Sequence, residues 1–188
     1  ALKSKLAGGI ELFSISDISY IRGKSDLGTL ISARLEQHYP KILTDIERVQ
    51  FGYDLLKTIN QSTEDEPESA YFELVEDTFK GLNDLDVPLS VNRLWFMCRL
   101  LSISGHMPNL ATDNNGLVLA ENDRFGFDTS KMSFVAQPGS GSYSPDQIKF
   151  LRLAFALPSP KPLARVIEAD SLSQKLIGLI NLLHEHHL

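Results

Sequence analysis

Two short stretches rich in β-branched and aromatic residues, 10–21 and 29–31, lie near the start of the chain. Between them stands the run Arg22-Gly23-Lys24-Ser25-Asp26, whose residue types are typical of a turn. The pattern predicts a β-hairpin or the last strands of a small β domain. Because two or three strands are only marginally stable alone, we expect them to pack on another element or to belong to a larger sheet.

The spacing of apolar residues becomes helical after Tyr39-Pro40. It predicts a long first helix whose apolar face comprises Ile42, Ile46, Val49, Tyr53, Leu56 and Ile59. A second helix is expected to begin near Pro67 and to end at Gly81 and Asn83, with apolar positions at Ala70, Phe72, Val75 and Phe79. A third helix, residues 88–104, is apolar almost all round, which predicts a place at the centre of the fold.

Segment 107–142 differs from these helices because it is rich in Asn, Asp, Gly and Ser. Its short apolar pieces, 117–119, 125–127 and 132–135, predict short strands and loops packed against the helices. The run Ser144-Pro145-Asp146-Gln147 has the form of a capping box and predicts a helix that continues through residues 148–157. A last helix is expected over residues 171–187. The chain is therefore predicted to be mainly α with a small β part.

The composition limits the class of protein. With 188 residues, 43% of them hydrophobic, the chain can bury a sizeable core, which excludes the disordered and fibrous classes. No apolar stretch approaches the roughly 20 residues of a membrane span, so we expect no membrane contact. Cys98 is the single cysteine, so neither an intrachain disulfide nor a cysteine zinc cage can form, and a reduced, cytoplasmic setting is predicted.

The charge is unevenly distributed. A formal net charge of −6 argues against a protein that coats nucleic acid with its whole surface. Residues 64–86 carry nine acids and the single base Lys80. We interpret the run Glu64-Asp65-Glu66 as a solvated helix entrance, and we expect any nucleic-acid contact to avoid this segment.

Nothing in the sequence indicates catalysis, a cofactor or a metal centre. The run Gly139-Ser140-Gly141-Ser142 lacks the Lys and Ser/Thr of a phosphate-binding loop and is interpreted as a flexible link. Cys98 lies in the most apolar helix, where a thiol is inert. His184 and His187 would share one face of the last helix, but two ligands at a chain end do not make a metal site, so a solvated helix end is expected.

Two groups of basic residues are candidates for binding. A loop carried by strands and presenting positive charge can hold a DNA single strand, which makes DNA-binding candidates of Arg22, Lys24, Arg34 and Lys41. Arginines that rim an apolar groove suit an acidic peptide with a bulky apolar end, and the candidates for this role, with Arg165 nearby, are Arg93, Arg99, Lys149 and Arg152. The alternative is that these side chains only reach the surface or pair with neighbouring acids.

Several runs, in this order, resemble motifs of the RecO family of recombination mediators. They are Leu6-Ala7-Gly8-Gly9-Ile10-Glu11-Leu12-Phe13, Tyr20-Ile21-Arg22-Gly23-Lys24, Phe96-Met97-Cys98-Arg99-Leu100-Leu101 with Gly105-His106-Met107-Pro108-Asn109, and Leu183-His184-Glu185-His186-His187-Leu188. The resemblance implies the last strands of an OB-type β-barrel in residues 1–35 and a helical domain in residues 36–188. It also implies a zinc-ribbon-like insertion in residues 107–142.

Two departures from the family pattern matter. The first barrel strands of the family have no counterpart here, which implies a form truncated at the N-terminus. The two cysteine pairs of the family's zinc segment are also missing, since residues 109–116 and 130–141 contain none. The insertion therefore resembles that of a zinc-less branch of the family, in which side-chain packing would stabilise the segment in place of zinc.

The resemblance implies a non-enzymatic DNA-repair mediator without cofactors. It would bind and anneal single- and double-stranded DNA, engage RecR, and displace single-stranded-DNA-binding protein so that RecA can load. The acidic, phenylalanine-ended tail of the single-strand-binding protein would dock on the helical domain. Arg99 matches the family's helix motif, and Arg22 with Lys24 matches the barrel turn. The competing hypothesis is a helical protein–protein adaptor that does not bind DNA, which the acidic balance favours.

Overall fold

The computed structural model describes residues 8–23, 28–63, 69–120 and 123–187. Helices dominate the described part of the chain, and two small sheets accompany them. The strands are Ser14–Arg22 (β1), Gly28–His38 (β2), Asn109–Asp113 (β3), Phe125–Asp128 (β4) and Ser133–Ala136 (β5). A 3-10 helix covers Pro40–Thr44, and the α-helices are Ile46–Ser62 (α1), Ser69–Asn83 (α2), Leu89–Ile103 (α3), Pro145–Ala156 (α4), Pro160–Leu163 (α5) and Ala169–His187 (α6).

The predicted hairpin is confirmed. Strands β1 and β2 are antiparallel, with Ser14 opposite His38 and Arg22 opposite Gly28. Five large apolar side chains of the hairpin are exposed, namely Ile18, Tyr20, Ile21, Ile31 and Leu35. The predicted turn falls partly on residues 24–27, which lie outside the described residues. Two strands do not define a barrel, so the OB-type remnant and the domain limits stay predictions.

Phe13 fixes the base of the hairpin to the helices. Its ring is buried and makes edge-to-face contacts with Tyr53 of α1, at 5.4 Å between ring centroids, and with Phe79 of α2, at 5.5 Å. The Tyr39 amide donates a hydrogen bond to the Phe13 carbonyl at 3.1 Å. Both ends of the hairpin are therefore tied to one point of the helical body.

Helix α3 lies at the centre of the core, as predicted. It packs against α2, α4, α5 and α6, and its buried side chains include Leu94, Trp95 and Cys98. The Trp95 indole N–H donates to the Leu157 carbonyl at 2.9 Å, which joins α3 to the end of α4. Burial raises the pKa of the Cys98 thiol well above its ordinary value.

The predicted apolar face of the first helix is correct only in part, since Val49 and Ile59 pack against the core but other predicted positions face water. Ile46 is 79% exposed, whereas Phe51 and Leu55 are buried. The physical reason is that Pro40–Thr44 forms a 3-10 helix, with about three residues per turn, so the spacing that begins at Ile42 does not continue into α1. Asp45 then starts a new helix, since its carboxylate accepts hydrogen bonds from the Glu47 and Arg48 amides.

The second helix shows a smaller error of the same kind. Leu74 and Phe79 are buried, but Phe72 is 56% exposed. The helix begins at Ser69 within the described residues and ends at Asn83. The start predicted near Pro67, and the acidic run before it, lie outside the described residues.

Arg48 is a buried charged residue that joins α1 to the connection between α2 and α3. Its side chain is 6% exposed. The guanidinium donates to the carbonyls of Leu82 at 2.7 Å and Val87 at 2.9 Å, and its Nε lies 3.7 Å from an Asp45 carboxylate oxygen. These contacts satisfy backbone carbonyls that have no helical partner.

Segment 107–142 forms strands and loops packed on the helices, as predicted. Its strand order is β3-β5-β4, with β3 parallel and β4 antiparallel to β5. At its centre the buried ring of Phe134 makes edge-to-face contacts with Phe125, Phe127 and Tyr143. Nothing in this arrangement tests the zinc-ribbon-like origin, which stays a prediction.

The flexible link predicted at residues 139–142 is instead a hydrogen-bonded turn. The amides of Ser140 and Gly141 both donate to the Gln137 carbonyl. Gly141 is packed so closely that an added Cβ would lie 2.3 Å from the Phe125 amide nitrogen. Glycine is therefore needed here for close approach of two backbone segments.

The two closing helices follow the prediction. The Ser144 hydroxyl accepts from the Gln147 amide and the Gln147 side chain accepts from the Ser144 amide, so the capping box is complete at the start of α4. Helix α6 runs from Ala169 to His187. None of the helices in the described ranges combines the length and apolar character needed to cross a bilayer.

Candidate functional site

A cavity of about 220 Å³ opens between α1, α3 and α6. Its lining combines apolar and polar side chains, which suits an amphipathic ligand. The lining residues are Phe51, Asp54, Leu55, Thr58, Arg93, Phe96, Met97, Ile177, Asn181 and His184.

Arg93 is the cationic group of this cavity. The guanidinium carbon lies 5.1 Å from the centre of the Phe51 ring, a cation–π contact. Its Nε is buried and has no hydrogen-bond partner among the residues that the structure describes. Across the described ranges Arg93 makes no ion pair, although Asp54 lines the same cavity. The Arg93 guanidinium is therefore available to bind an acidic group of a ligand.

His184 forms part of the cavity wall on α6. Its Nε2 lies 2.9 Å from the Met97 carbonyl oxygen, so the ring donates a hydrogen bond to α3. Burial lowers the pKa of His184 below its ordinary value, and the hydrogen bond to Met97 opposes this shift. The expectation of a solvated helix end is therefore wrong for His184, because the residue packs against the central helix. The side chain of His187 lies outside the described residues.

The other residues predicted to bind a peptide have different neighbours. Arg99 donates to the Phe155 carbonyl at 3.2 Å, and Arg152 donates to the Leu110 carbonyl at 2.7 Å. Lys149 is exposed on α4. Arg93 and Arg99 are six positions apart on α3, so their side chains leave the helix in directions that differ by roughly 120°. Of the four predicted residues, Arg93 lines the cavity.

The residues predicted to bind DNA are spread along the hairpin and the segment after it. Arg22 is exposed at the end of β1. Arg34 lies on β2 and pairs with Glu36 at 2.6 Å and with Asp17 at 3.8 Å. Lys41 is exposed on the 3-10 helix, and its amide donates to the Asn83 side chain at 2.8 Å. Lys24 lies outside the described residues.

Sequence reasoning missed the cavity itself. Phe51, Arg93 and His184 are far apart in the chain, and only the packing of three helices brings them together. One usable signal was the spacing of Arg48, Phe51 and Leu55, which marks the true buried side of α1. Among the residues that the structure describes, no group of three or more His, Cys, Asp or Glu side chains is placed to hold a metal ion.

Comparisons with known proteins place the chain in a family. Residues 43–174 match the family described as "Recombination protein O C terminal". A DNA repair protein RecO from Desulfatibacillum aliphaticivorans is 29% identical over 109 residues, which are 56% of this chain and 42% of that relative. No solved structure matches the chain. Because the family match covers well over half of its residues, the chain belongs to the recombination protein O (RecO) family.

Proposed function

We propose that this protein acts in DNA repair as a mediator and that the cavity around Arg93 binds the acidic tail of single-stranded-DNA-binding protein. The main support is the partly buried side chain of Arg93, whose guanidinium lies over an aromatic ring and makes no ion pair with any described residue. Arg93 also lies inside the segment that matches the RecO family. The candidate DNA residues, in contrast, precede that segment.

The chemistry of the cavity fits a peptide end that carries both a carboxylate and a phenyl ring. A carboxylate forms strong, charge-assisted hydrogen bonds with a guanidinium. Phe51, Leu55 and Phe96 provide an apolar wall beside it. An apolar cavity of about 150 Å³ is enough to hold benzene, so the roughly 220 Å³ found here has room for one phenyl ring and part of a carboxylate.

Reversing the charge of Arg93 is expected to abolish recognition of an acidic peptide. A labelled peptide ending in Asp-Asp-Ile-Pro-Phe, titrated by fluorescence anisotropy, should bind Arg93→Glu roughly tenfold or more weakly than the parent protein. Asp54→Asn should bind it more tightly, because a negative charge is removed from the same cavity. Binding should also weaken with salt.

Arg165→Glu is the matched control, because Arg165 is exposed and does not line the cavity. Arg99→Glu tests the residue that matches the family motif. Equal affinity of Arg93→Glu and the parent protein would exclude the cavity. If Arg99→Glu alone lost binding, the tail would dock beside α4 instead.

DNA binding by the hairpin is the second part of the proposed role. Arg22 is exposed, and so is Tyr20, whose ring is 52% accessible and could stack on a base. The exposed apolar side chains of the hairpin also favour its membership of a larger OB-type barrel, whose further strands would cover them. Annealing and cooperation with RecR and RecA are proposed on family membership. No covalent chemistry or cofactor is required.

Charge reversal at the hairpin should weaken DNA binding. Arg22→Glu is expected to lower the affinity for a labelled single strand and to reduce the slope of log affinity against log salt by about 1. Lys57→Glu, on exposed α1 surface, should leave both quantities unchanged. Absence of DNA binding by the parent protein at every salt concentration would support the adaptor hypothesis, which the net charge of −6 favours.

A further inference from the structure

A second, larger cavity lies on a different side of α1. This apolar groove has a volume of about 580 Å³ and runs between the base of the hairpin, the second half of α1 and the exposed side of α2. The side chains that give it its character are Leu12, Phe13, Leu56, Ile59, Phe72 and Val75. Its volume is typical of ligand-binding clefts, which measure roughly 300–1,000 Å³.

The groove leaves large apolar side chains in contact with water. Leu12 is 44% exposed, Leu56 is 38% exposed and Phe72 is 56% exposed. These three residues come from three separate parts of the chain, the turn before β1, α1 and α2, and all three line the groove. Single exposed apolar residues are normal, but a contiguous apolar surface indicates a binding site.

The charges around the apolar groove are negative. Glu11 is its charged lining residue, and no lysine or arginine among the described residues lines it. On α2 the Lys80 ammonium pairs with both Glu76 and Asp77, each at 3.0 Å, while Glu73 is exposed beside Phe72. Within α2, three acids, Glu73, Glu76 and Asp77, therefore accompany the single base Lys80. A ligand in this groove would therefore bind more tightly if it carried positive charge.

We infer that the apolar groove binds an amphipathic helix of a partner protein, with leucine-like side chains on one face and lysine or arginine beside them. Grooves of this kind hold helices through apolar side chains at i, i+3 or i+4, and i+7. The proposed partner differs in charge from the acidic peptide of the Arg93 cavity. The two sites are independent, so this inference does not rest on the proposed function.

A pair of designed peptides tests the inference. Both carry leucines at i, i+3, i+4 and i+7; one has lysines beside them and the other has glutamates. The lysine peptide is expected to bind the full chain, and the glutamate peptide to bind roughly tenfold or more weakly. Phe72→Asp should lose the lysine peptide. Leu153→Asp is the matched control, because Leu153 is an exposed helical leucine on α4 outside the groove.

Three results would overturn the inference. They are equal affinity for both peptides, binding that survives Phe72→Asp, and no binding of the lysine peptide by the parent protein. Analytical ultracentrifugation of the parent protein tests whether a second copy of this chain occupies the groove. A dimer that dissociates in Phe72→Asp would assign the groove to a second copy of this chain and contradict the basic helix. Unchanged far-ultraviolet circular dichroism confirms that each variant is folded.

Discussion

Replacing Arg48 by methionine will lower the free energy of unfolding by about 3–5 kcal/mol. Methionine fills a similar volume, so the main loss is the guanidinium that donates to the carbonyls of Leu82 and Val87. These acceptors would stay buried without partners, and each hydrogen bond to a charged group contributes about 1.5–3 kcal/mol. The Asp45 carboxylate would lose its ion-pair partner as well.

Urea denaturation followed by circular dichroism measures this effect, provided that unfolding is two-state. Lys57→Met is the control, because it removes a charge from the exposed side of the same helix and should change stability by about 0.5 kcal/mol or less. A loss smaller than about 1 kcal/mol in Arg48→Met would show that water replaces the guanidinium.

Phe134→Ala is expected to cost about 3–5 kcal/mol of stability. The ring is fully buried, and its centroid lies 5.0 Å from that of Phe127, 5.7 Å from that of Tyr143 and 6.4 Å from that of Phe125. Removing it leaves a void at the point where the strands of the cysteine-free insertion meet.

Hydrogen exchange measured on residues 109–136 locates the damage. In Phe134→Ala the amides of β3, β4 and β5 should exchange faster than those of α3, because the small sheet depends on this ring and the central helix does not. Val118→Ala, at an exposed position in the same segment, is the control. Uniform acceleration across the whole chain would mean that the sheet and the helices unfold as one unit.

The elements that the sequence predicted correctly are those whose signals are local. The capping box at Ser144 fixes the start of α4, and the all-round apolar character of α3 indicates its central place. Both depend on residues within one or two helical turns. Local patterns of this kind can be recognised in the sequence, and tertiary packing does not change the structure that they predict.

The errors in α1 arise because the spacing of apolar residues does not continue from the 3-10 helix Pro40–Thr44 into the α-helix. Ile42 is buried, but the helix to which it was assigned begins afresh at Ile46 with a different buried side. The sequence does not predict the burial of Arg48, because an arginine in an amphipathic helix is usually on the surface. Its burial follows from carbonyls supplied by residues more than thirty positions away, as the separation of 34 between Arg48 and Leu82 illustrates.

The peptide-binding site on the helical body stays a prediction, and the structure shows only where the predicted residues lie. A positively charged apolar cavity on the helical body was expected, with Arg99 as the leading residue. In the structure Arg99 is engaged with the Phe155 carbonyl, whereas Arg93 lines the cavity. Sequence can identify that an arginine lies near an apolar helix, but the direction of its side chain depends on how three separate helices pack.

The short 3-10 helix Pro40–Thr44 acts as a spacer of fixed length. Each residue of a 3-10 helix turns the chain by about 120°, so losing one residue between Tyr39 and Asp45 would turn and shift α1 relative to the hairpin. The turn would withdraw Arg48 from its carbonyls and misplace the walls of both cavities, since α1 contributes to each. Insertions and deletions among related chains are therefore expected to avoid residues 40–45.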